Sequence, residues 1–235
     1  MVLVALTLLV AGGSGPPFDD AYTVAAITPD GDDIYRTHLA LGQVTVAAPA
    51  TNDFGNLRMV AARDDVELSV DQESCITWLG PRHEAAQPGL ALRVTASGGG
   101  TRAITVSNNV WLQDRSSFNV HLADSAGDDF ADRMKGIGEI QLPSGLGDGA
   151  FTRTPLPWRM CARAAGTTIE VKAWSLTEHP DEPSWDDLGF AGSVEVPQDW
   201  VYEGRPGFYM AHLAPGERAY LVDEVTRTLA PTTGG

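Results

Sequence analysis

Basic residues are scarce in this chain of 235 residues. Lysine and arginine total 16 against 31 aspartates and glutamates, which gives a formal net charge of −15 at pH 7. A field of that sign repels a phosphate backbone rather than holding it. We therefore expect no nucleic-acid partner.

Cysteine is scarcer still, because Cys75 and Cys161 are the only two. Two cysteines cannot form a disulfide framework, although they can form a single bridge. No CxxC pair and no Cys/His spacing indicates zinc. We predict two unpaired thiols that pack as small hydrophobic side chains, with one bridge as the alternative.

No apolar run reaches the roughly 20 residues that a bilayer span requires, so no membrane insertion is expected. The N-terminal residues 2–10 are apolar apart from Thr7, and no Lys or Arg precedes Arg36, whereas a secretory signal peptide normally begins with one. A Gly/Pro hinge follows at residues 12–17. We predict an assembly arm that docks on a partner, with a strand of the chain's own sandwich as the alternative. Its apolar residues are Val2, Leu3, Val4, Leu6, Leu8, Leu9 and Val10.

Catalytic signatures are missing as well. Retaining glycosidases need two carboxylates about 5 Å apart on one face, and the acidic groupings at residues 64–67 and 181–187 lack that alternation. There is no Gly-x-Ser-x-Gly, and the five histidines are scattered singly. We expect no enzyme, no cofactor and no metal. A Pro-Asp-Gly turn explains the aspartates at residues 30–33 without calcium.

Short strands are what the chain does contain. The 25 glycines and 15 prolines suit many strands joined by turns. The alternation predicts strands within residues 22–27, 34–41, 44–48, 66–71, 90–95, 103–107, 118–122 and 136–142. A helix of at most two turns is predicted at 128–135.

A hairpin is the strongest local signal. Residues 158–164 and 168–174 alternate on either side of Ala165-Gly166-Thr167. Met160 and Val171 belong to the apolar face, whereas Cys161 shares the opposite face with the charged residues. The pattern predicts an antiparallel pair with one dry and one wet side.

This hairpin resembles the penultimate hairpin of concanavalin A-like (laminin-G-like) jelly rolls, especially their actinobacterial and actinobacteriophage branch. The family pattern continues with a Gly-rich strand, similar to residues 204–210, and a closing strand that carries an Asp, similar to residues 220–225. The matching motif positions include Trp158, Gly166, Trp174, Glu182, Pro183, Trp185 and Asp223.

The resemblance implies an all-β antiparallel sandwich of the concanavalin A-like jelly-roll type. We predict an arm and hinge at residues 1–17, one jelly-roll domain at 18–230 and a flexible tail at 231–235. The implied protein is a non-enzymatic phage virion component, a minor tail protein or capsid decoration, whose partners are other virion proteins or copies of itself. A secreted bacterial glycan-binding module is the alternative, and a glycoside hydrolase is the third possibility.

Host cell-wall glycan is the expected ligand, if the surface binds one. Trp158, Trp174 and Trp185 are expected to brace the hairpin, whereas Trp78, Trp111 and Trp200 are freer to be exposed. One local cluster combines an aromatic ring with amide and guanidinium donors, and we predict a glycan site there; the alternative is a packed Trp111 beside an asparagine turn. The cluster consists of Asn108, Asn109, Trp111 and Arg115.

Overall fold

The computed structural model describes residues 21–29, 34–50, 57–80, 86–108, 117–146 and 155–230. The predicted arm, the aspartates at 30–33 and the tail at 231–235 lie outside the described residues. The strands are β1 Tyr22–Thr28, β2 Arg36–Ala40, β3 Gln43–Ala47, β4 Arg58–Arg63, β5 Gln72–Gly80, β6 Gln87–Ser97, β7 Gly100–Asn108, β8 Ser117–Asp124, β9 Met134–Gln141, β10 Trp158–Ala165, β11 Thr168–Ser175, β12 Ala191–Glu195, β13 Arg205–Ala211 and β14 Arg218–Thr228. Two four-residue helices, α1 Phe130–Arg133 and α2 Pro143–Leu146, and a 3₁₀ turn at Gln198–Trp200 complete the elements.

The strands form two antiparallel sheets of seven. Sheet 1 has the order β1-β4-β13-β6-β7-β8-β9, and sheet 2 has the order β12-β11-β10-β5-β14-β3-β2. Their inner faces share one apolar core that runs through both layers. The antiparallel sandwich predicted from the sequence is confirmed. No helix in the described part of the chain is long and apolar enough to cross a bilayer.

The hairpin of β10 and β11 has the predicted register. Ala165 lies opposite Thr168 across a turn in which Gly166 adopts φ 55°, a conformation that glycine reaches without steric cost. Met160 and Val171 are fully buried in the core between the sheets. The apolar face was therefore assigned correctly.

The predicted wet side of this hairpin is wrong in part. Lys172 and Cys161 are each 2% exposed, because residues 176–190 fold over the outer face of sheet 2. Leu176, Trp185 and Phe190 from that segment pack onto the face. We call residues 176–190 the covering loop.

The prediction of unpaired thiols is also wrong. Cys75 and Cys161 are directly opposite each other on β5 and β10, and they form a disulfide with a Cα to Cα distance of 4.1 Å. Adjacent antiparallel strands can bring two such residues close enough to bridge. The spacing of 86 residues hid this pairing, since nothing local shows that β5 and β10 are neighbours.

One strand was misplaced along the sequence. Residues 66–71 alternate but form no strand, and Ser69 makes only an isolated bridge to Gly204. The strand is β5, the next nine residues, which lies in the middle of sheet 2. Its polar residues obscured it, and the fold satisfies them: the Ser74 hydroxyl donates to the Gly207 carbonyl oxygen at 2.8 Å.

The outer face of sheet 1 carries small residues in its centre. Gly207 and Ala91 lie opposite each other on β13 and β6. Near this face α1 approaches β1, β8 and β9, and Asp129 caps its first turn by accepting a hydrogen bond from the Asp132 backbone at 3.0 Å. The short helix falls within the predicted 128–135 segment.

Candidate functional site

The predicted glycan cluster falls in the sequence segment between β7 and β8. Asn108, its first residue, is fully buried at the end of β7. Its Nδ2 donates to the Ser117 carbonyl oxygen at 3.1 Å, so the side chain links the end of β7 to the start of β8. Asn109, Trp111 and Arg115 lie outside the described residues, and their role stays a prediction.

The outward residues of β7, β8 and β9 form a polar patch. The strand β8 alternates, with Phe118, Val120 and Leu122 inward and polar residues outward. The register places Ser107 opposite Asn119, and Asn119 opposite Glu139. We call the following set the polar patch: Thr105, Ser107, Asn119, His121, Glu139 and Gln141.

Hydrogen bonds hold the β9 side of the polar patch. The Glu139 carboxylate accepts from the Ser117 hydroxyl and from the Gln141 amide, both at 2.5 Å to Oε1. Glu139 and Gln141 are exposed on the edge strand, while Asn119 is half-buried. Thr105 and Ser107, on β7, are buried, so the groups that a ligand can reach are the Glu139 carboxylate, the Gln141 amide and the half-buried Asn119 and His121.

The other end of the polar patch is drier. His121 lies between Thr105 on β7 and Gly136 on β9. The Thr105 hydroxyl and His121 Nδ1 are buried without a hydrogen-bond partner in the described structure. Because Gly136 has no side chain, the imidazole edge is not covered from β9; a Cβ there would come within 3.8 Å of its Cδ2. These two polar atoms belong to one cross-strand pair.

Burial sets the charge of His121. Burial, together with the smaller effect of the positive charge of Arg58, lowers the pKa of the imidazole to about 4. The ring is therefore neutral at pH 7, with one nitrogen that donates and one that accepts. A neutral donor and acceptor suits hydroxyl ligands.

Arg58 covers the β4 and β13 side of the same face. Its guanidinium lies 4.7 Å from the centre of the Phe130 ring on α1 and donates to the Thr28 hydroxyl at 3.2 Å. Tyr209, on β13, is buried beneath this region, and burial raises the pKa of its hydroxyl. The patch is therefore bordered by a cationic and aromatic group as well as by polar ones.

The motif residues on the outer face of sheet 2 form structural contacts rather than a ligand-binding site. Lys172 Nζ lies 2.6 Å from Glu182 Oε1 and 2.9 Å from the Pro183 carbonyl oxygen. The same ammonium lies 4.5 Å from the centre of the Trp185 ring and 5.6 Å from that of Trp174. These contacts fix the covering loop over the disulfide.

The remaining motif residues are structural too. Trp158 is buried in the core. Asp223 has φ 53°, and its carbonyl oxygen accepts from Arg159 Nη1 at a bulge of β14. Trp78 is 2% exposed, contrary to the prediction, because it is an inward residue of β5; Trp200 is half-buried.

A buried arginine fixes the turn at Gly166. Arg93, fully buried, donates to the carbonyl oxygens of Gly166 at 2.5 Å, Trp200 at 2.8 Å and Val70 at 3.0 Å. The Gly166 backbone N–H donates in turn to Asp71 Oδ1 at 2.8 Å. Sequence reasoning missed Arg93, since no local pattern marks it.

Catalytic or metal-binding groupings are not evident in the described ranges. No three His, Cys, Asp or Glu side chains there are close enough to hold a metal ion. The central strands β13, β6 and β7 present glycine, alanine, serine, threonine and tyrosine on the outer face of sheet 1, with no carboxylate at those outward positions. These positions are buried, so hydrogen bonds to a ligand could come only from the exposed and half-buried side chains of β8 and β9.

No protein-family model and no curated protein sequence matches the chain. Solved structures do resemble it. A β-1,3-1,4-glucanase (lichenase) derived from a mouse hindgut metagenome is 10% identical with a TM-score of 0.52, over 90% of this chain and 95% of that one. The exoplasmic/lumenal domain of VIP36 in its Ca²⁺/Man2-bound form is 9% identical with a TM-score of 0.51, over 91% of this chain and 83% of that one. The chain therefore has the concanavalin A-like jelly-roll fold.

Proposed function

We propose that this chain is a non-enzymatic, glycan-binding jelly roll that serves as a structural protein of a phage virion. The glycan would be one on the surface of the host cell. A secreted bacterial glycan-binding module is the second candidate.

The polar patch carries the glycan part of this proposal. Sugars present hydroxyls, each of which can donate and accept a hydrogen bond, and a site for them needs several fixed polar groups. Ser107, Asn119 and Glu139 lie in direct register across three strands, with His121 and Thr105 in the next row. Glu139 and Gln141 are exposed, and Asn119 and His121 are half-buried beside them, so these four side chains are the ones that a sugar could contact.

Two further observations support glycan binding. Asn108 links the end of β7, the strand that supplies Ser107, to the start of β8. Stacking of a sugar face on Trp111 stays a prediction, because Trp111 lies outside the described residues. Among the similar folds, the VIP36 domain has a Ca²⁺/Man2-bound form and the lichenase is a glucanase, which makes a saccharide ligand chemically reasonable here.

The absence of a carboxylate pair on the described central strands supports a role without catalysis. Glycoside hydrolysis needs an acid and a second carboxylate on opposite sides of the scissile bond. Glu139 is the carboxylate of the polar patch, and its Oε1 already accepts two hydrogen bonds. That arrangement supports binding rather than turnover.

The disulfide supports a location outside a reducing cytosol. Such bridges persist on virion and cell surfaces and in secreted proteins. Both candidate locations fit that requirement. The resemblance of the hairpin to actinobacteriophage proteins favours the virion, and it also makes host cell-wall glycan the expected ligand.

Calorimetric titration with arabinogalactan and peptidoglycan fragments tests the proposal. We expect saturable binding that weakens at least tenfold in Asn119→Ala and Glu139→Gln, while Glu195→Gln on the opposite sheet stays unchanged. Glu195 is the matched control because it too is an exposed edge-strand glutamate that accepts a side-chain hydrogen bond, from Thr168. Absence of binding, or equal loss in the control, would exclude the patch.

Two assays separate the remaining alternatives. Released reducing ends that disappear in Glu139→Gln would make the protein a hydrolase. An antibody against the chain should label purified phage particles; a signal confined to the culture fluid of uninfected bacteria would favour the secreted module.

A further inference from the structure

Two exposed arginines lie in one row on the outer face of sheet 2. The register places Arg36 on β2 opposite Ala47 on β3, and Ala47 opposite Arg218 on β14. Each of the three is next to a buried residue of its own strand, so all three side chains point outward. Both arginines are exposed, and Ala47 is half-buried. The two guanidinium groups therefore flank the space above one small side chain.

These two arginines differ from the others in the described ranges. Every other arginine there contacts a described carboxylate, hydroxyl or backbone carbonyl oxygen. Among the described residues, Arg36 and Arg218 have no such contact. Two unpaired positive charges thus lie in one row of a protein whose formal net charge is −15.

The carboxylate next to Arg218 in the sequence is already engaged. Glu217 Oε2 accepts from the Ala214 backbone N–H at 2.8 Å. The Glu217 carbonyl oxygen also accepts from the Ala48 N–H at 2.9 Å, which fixes the turn before β14 against the end of β3. These bonds hold Glu217 in the turn, so its carboxylate is committed there rather than to an arginine.

The next row of the same face offers an aromatic ring and a hydroxyl. Thr45 lies opposite Tyr220, about 7 Å along the strands from the row of arginines. Tyr220 is 38% exposed, so its ring can stack on a sugar face, and the Thr45 hydroxyl can donate or accept a hydrogen bond. We call the following set the arginine corner: Arg36, Thr45, Ala47, Arg218 and Tyr220.

The charges of the arginine corner suit an oxyanion. A guanidinium group presents a planar fork of donors that matches the oxygens of a carboxylate or a phosphate. Two strand spacings put the Cα atoms of Arg36 and Arg218 about 10 Å apart, so both long side chains can approach one anion above Ala47. The negative charge elsewhere on the protein is screened over about 8 Å at 0.15 M salt, which leaves the local positive charges dominant.

We propose that the arginine corner binds a saccharide that carries a phosphate or a carboxylate. The oxyanion lies between Arg36 and Arg218, and the sugar ring lies against Tyr220. This inference goes beyond the proposed function, because the arginine corner is on the opposite sheet from the polar patch and takes an anionic ligand. The two sites use different strands, so failure of one proposal is distinguishable from failure of the other.

A nuclear magnetic resonance titration of the nitrogen-15-labelled full chain tests the proposal. The probes are glucose 6-phosphate and glucuronic acid, and glucose is the neutral control with the same ring. We expect the anionic probes to shift the Nε–H signals of Arg36 and Arg218 and the amide signals of β2, β3 and β14. Glucose at the same concentration should leave these signals in place. A response to only one anionic probe would support the proposal and identify the charged group.

Charge-matched variants locate the binding. Arg36→Ala and Arg218→Ala should each weaken binding of the responding probe about tenfold, because each removes a charged hydrogen-bond donor. Arg227→Ala removes the same charge from an exposed arginine at the far end of β14, where it pairs with Glu73, and should leave the affinity unchanged. Arg218→Lys keeps the charge but loses the fork, so its affinity should lie between those of the wild type and Arg218→Ala.

Tyr220 separates recognition of the sugar from recognition of the anion alone. Tyr220→Ala should weaken binding of the responding anionic sugar, whereas Tyr220→Phe keeps the ring and should retain it. Inorganic phosphate should bind more weakly than glucose 6-phosphate if the latter responds. The replaced side chains are exposed, so we expect all variants to stay folded, and the dispersion of their spectra verifies this.

Four results would overturn the proposal. These are no shift with either anionic probe, shifts confined to β8 and β9, equal weakening in Arg227→Ala and Arg218→Ala, and unchanged sugar affinity in Tyr220→Ala.

Discussion

Replacement of Arg93 is the most informative perturbation of the framework. Its guanidinium joins β6 to three separate segments through the carbonyl oxygens of Val70, Gly166 and Trp200. Gly204 packs so closely that a Cβ there would lie 2.3 Å from the Arg93 carbonyl carbon. Arg93→Ala should therefore loosen the hairpin turn and the loop before β13 together.

The magnitude follows from the three acceptors. A buried polar group left without its partner costs about 1 to 3 kcal/mol, so three carbonyl oxygens give a loss of about 3 to 6 kcal/mol when water reaches some of them. Arg93→Lys keeps the charge but cannot reach three acceptors with a forked group, and we expect about half that loss. Arg102→Ala is the control, because this arginine is a half-buried surface residue stacked 4.1 Å from the Trp200 ring centre. It should cost about 1 kcal/mol.

Urea unfolding followed by tryptophan fluorescence measures these differences. The expected order of stability is wild type, Arg102→Ala, Arg93→Lys and Arg93→Ala. Equal midpoints for Arg93→Ala and Arg102→Ala would show that the three hydrogen bonds do not stabilise the fold, and the reasoning would fail.

Three other changes have definite expected outcomes. Replacing both Cys75 and Cys161 by alanine should lower the free energy of unfolding by about 4 kcal/mol, since the bridge closes a loop of some 86 residues; an unchanged urea midpoint would contradict this. The pKa of His121 is about 4 in the folded protein, whereas an unfolded histidine titrates near 6.5. The free energy of unfolding should therefore be highest above pH 7 and fall by about 2.5 kcal/mol on acidification to pH 4.5. Urea titrations at the two pH values should show that His121→Gln abolishes this loss. Val171→Asp should lower the free energy of unfolding by several kcal/mol, because it buries an unpaired carboxylate. Glu170→Ala loses a partly exposed ion pair with Arg163 and should lower it by about 1 kcal/mol. Equal losses would mean that the faces of β11 are reversed.

Local alternation was enough to predict much of the fold. The hairpin of β10 and β11 and the strand β8 were located within one or two residues, because each alternates apolar residues that face the core with mostly polar residues on the other face. β5 was missed because its sequence does not alternate in this way. It is buried on both faces, and its polar residues bind partners that are distant in the sequence. Arg227 Nη2 on β14, for example, lies 2.7 Å from Glu73 Oε1.

The candidate site was less accessible to sequence reasoning. Ser107, Asn119 and Glu139 meet only because β7, β8 and β9 are neighbours in one register, which no local pattern shows. The alternating polar residues of β8 were the available signal. Similarly, Lys172 was expected in water, and only the covering loop explains its burial between Trp174 and Trp185.

Hydrogen–deuterium exchange with and without a host cell-wall glycan fragment tests the central claim most directly. A bound saccharide should slow exchange in peptides from β7, β8 and β9, and it should leave β11 and β12 on the opposite sheet unchanged. Slowed exchange confined to the opposite sheet, or no change at a glycan concentration that saturates the calorimetric titration, would contradict glycan binding at the polar patch.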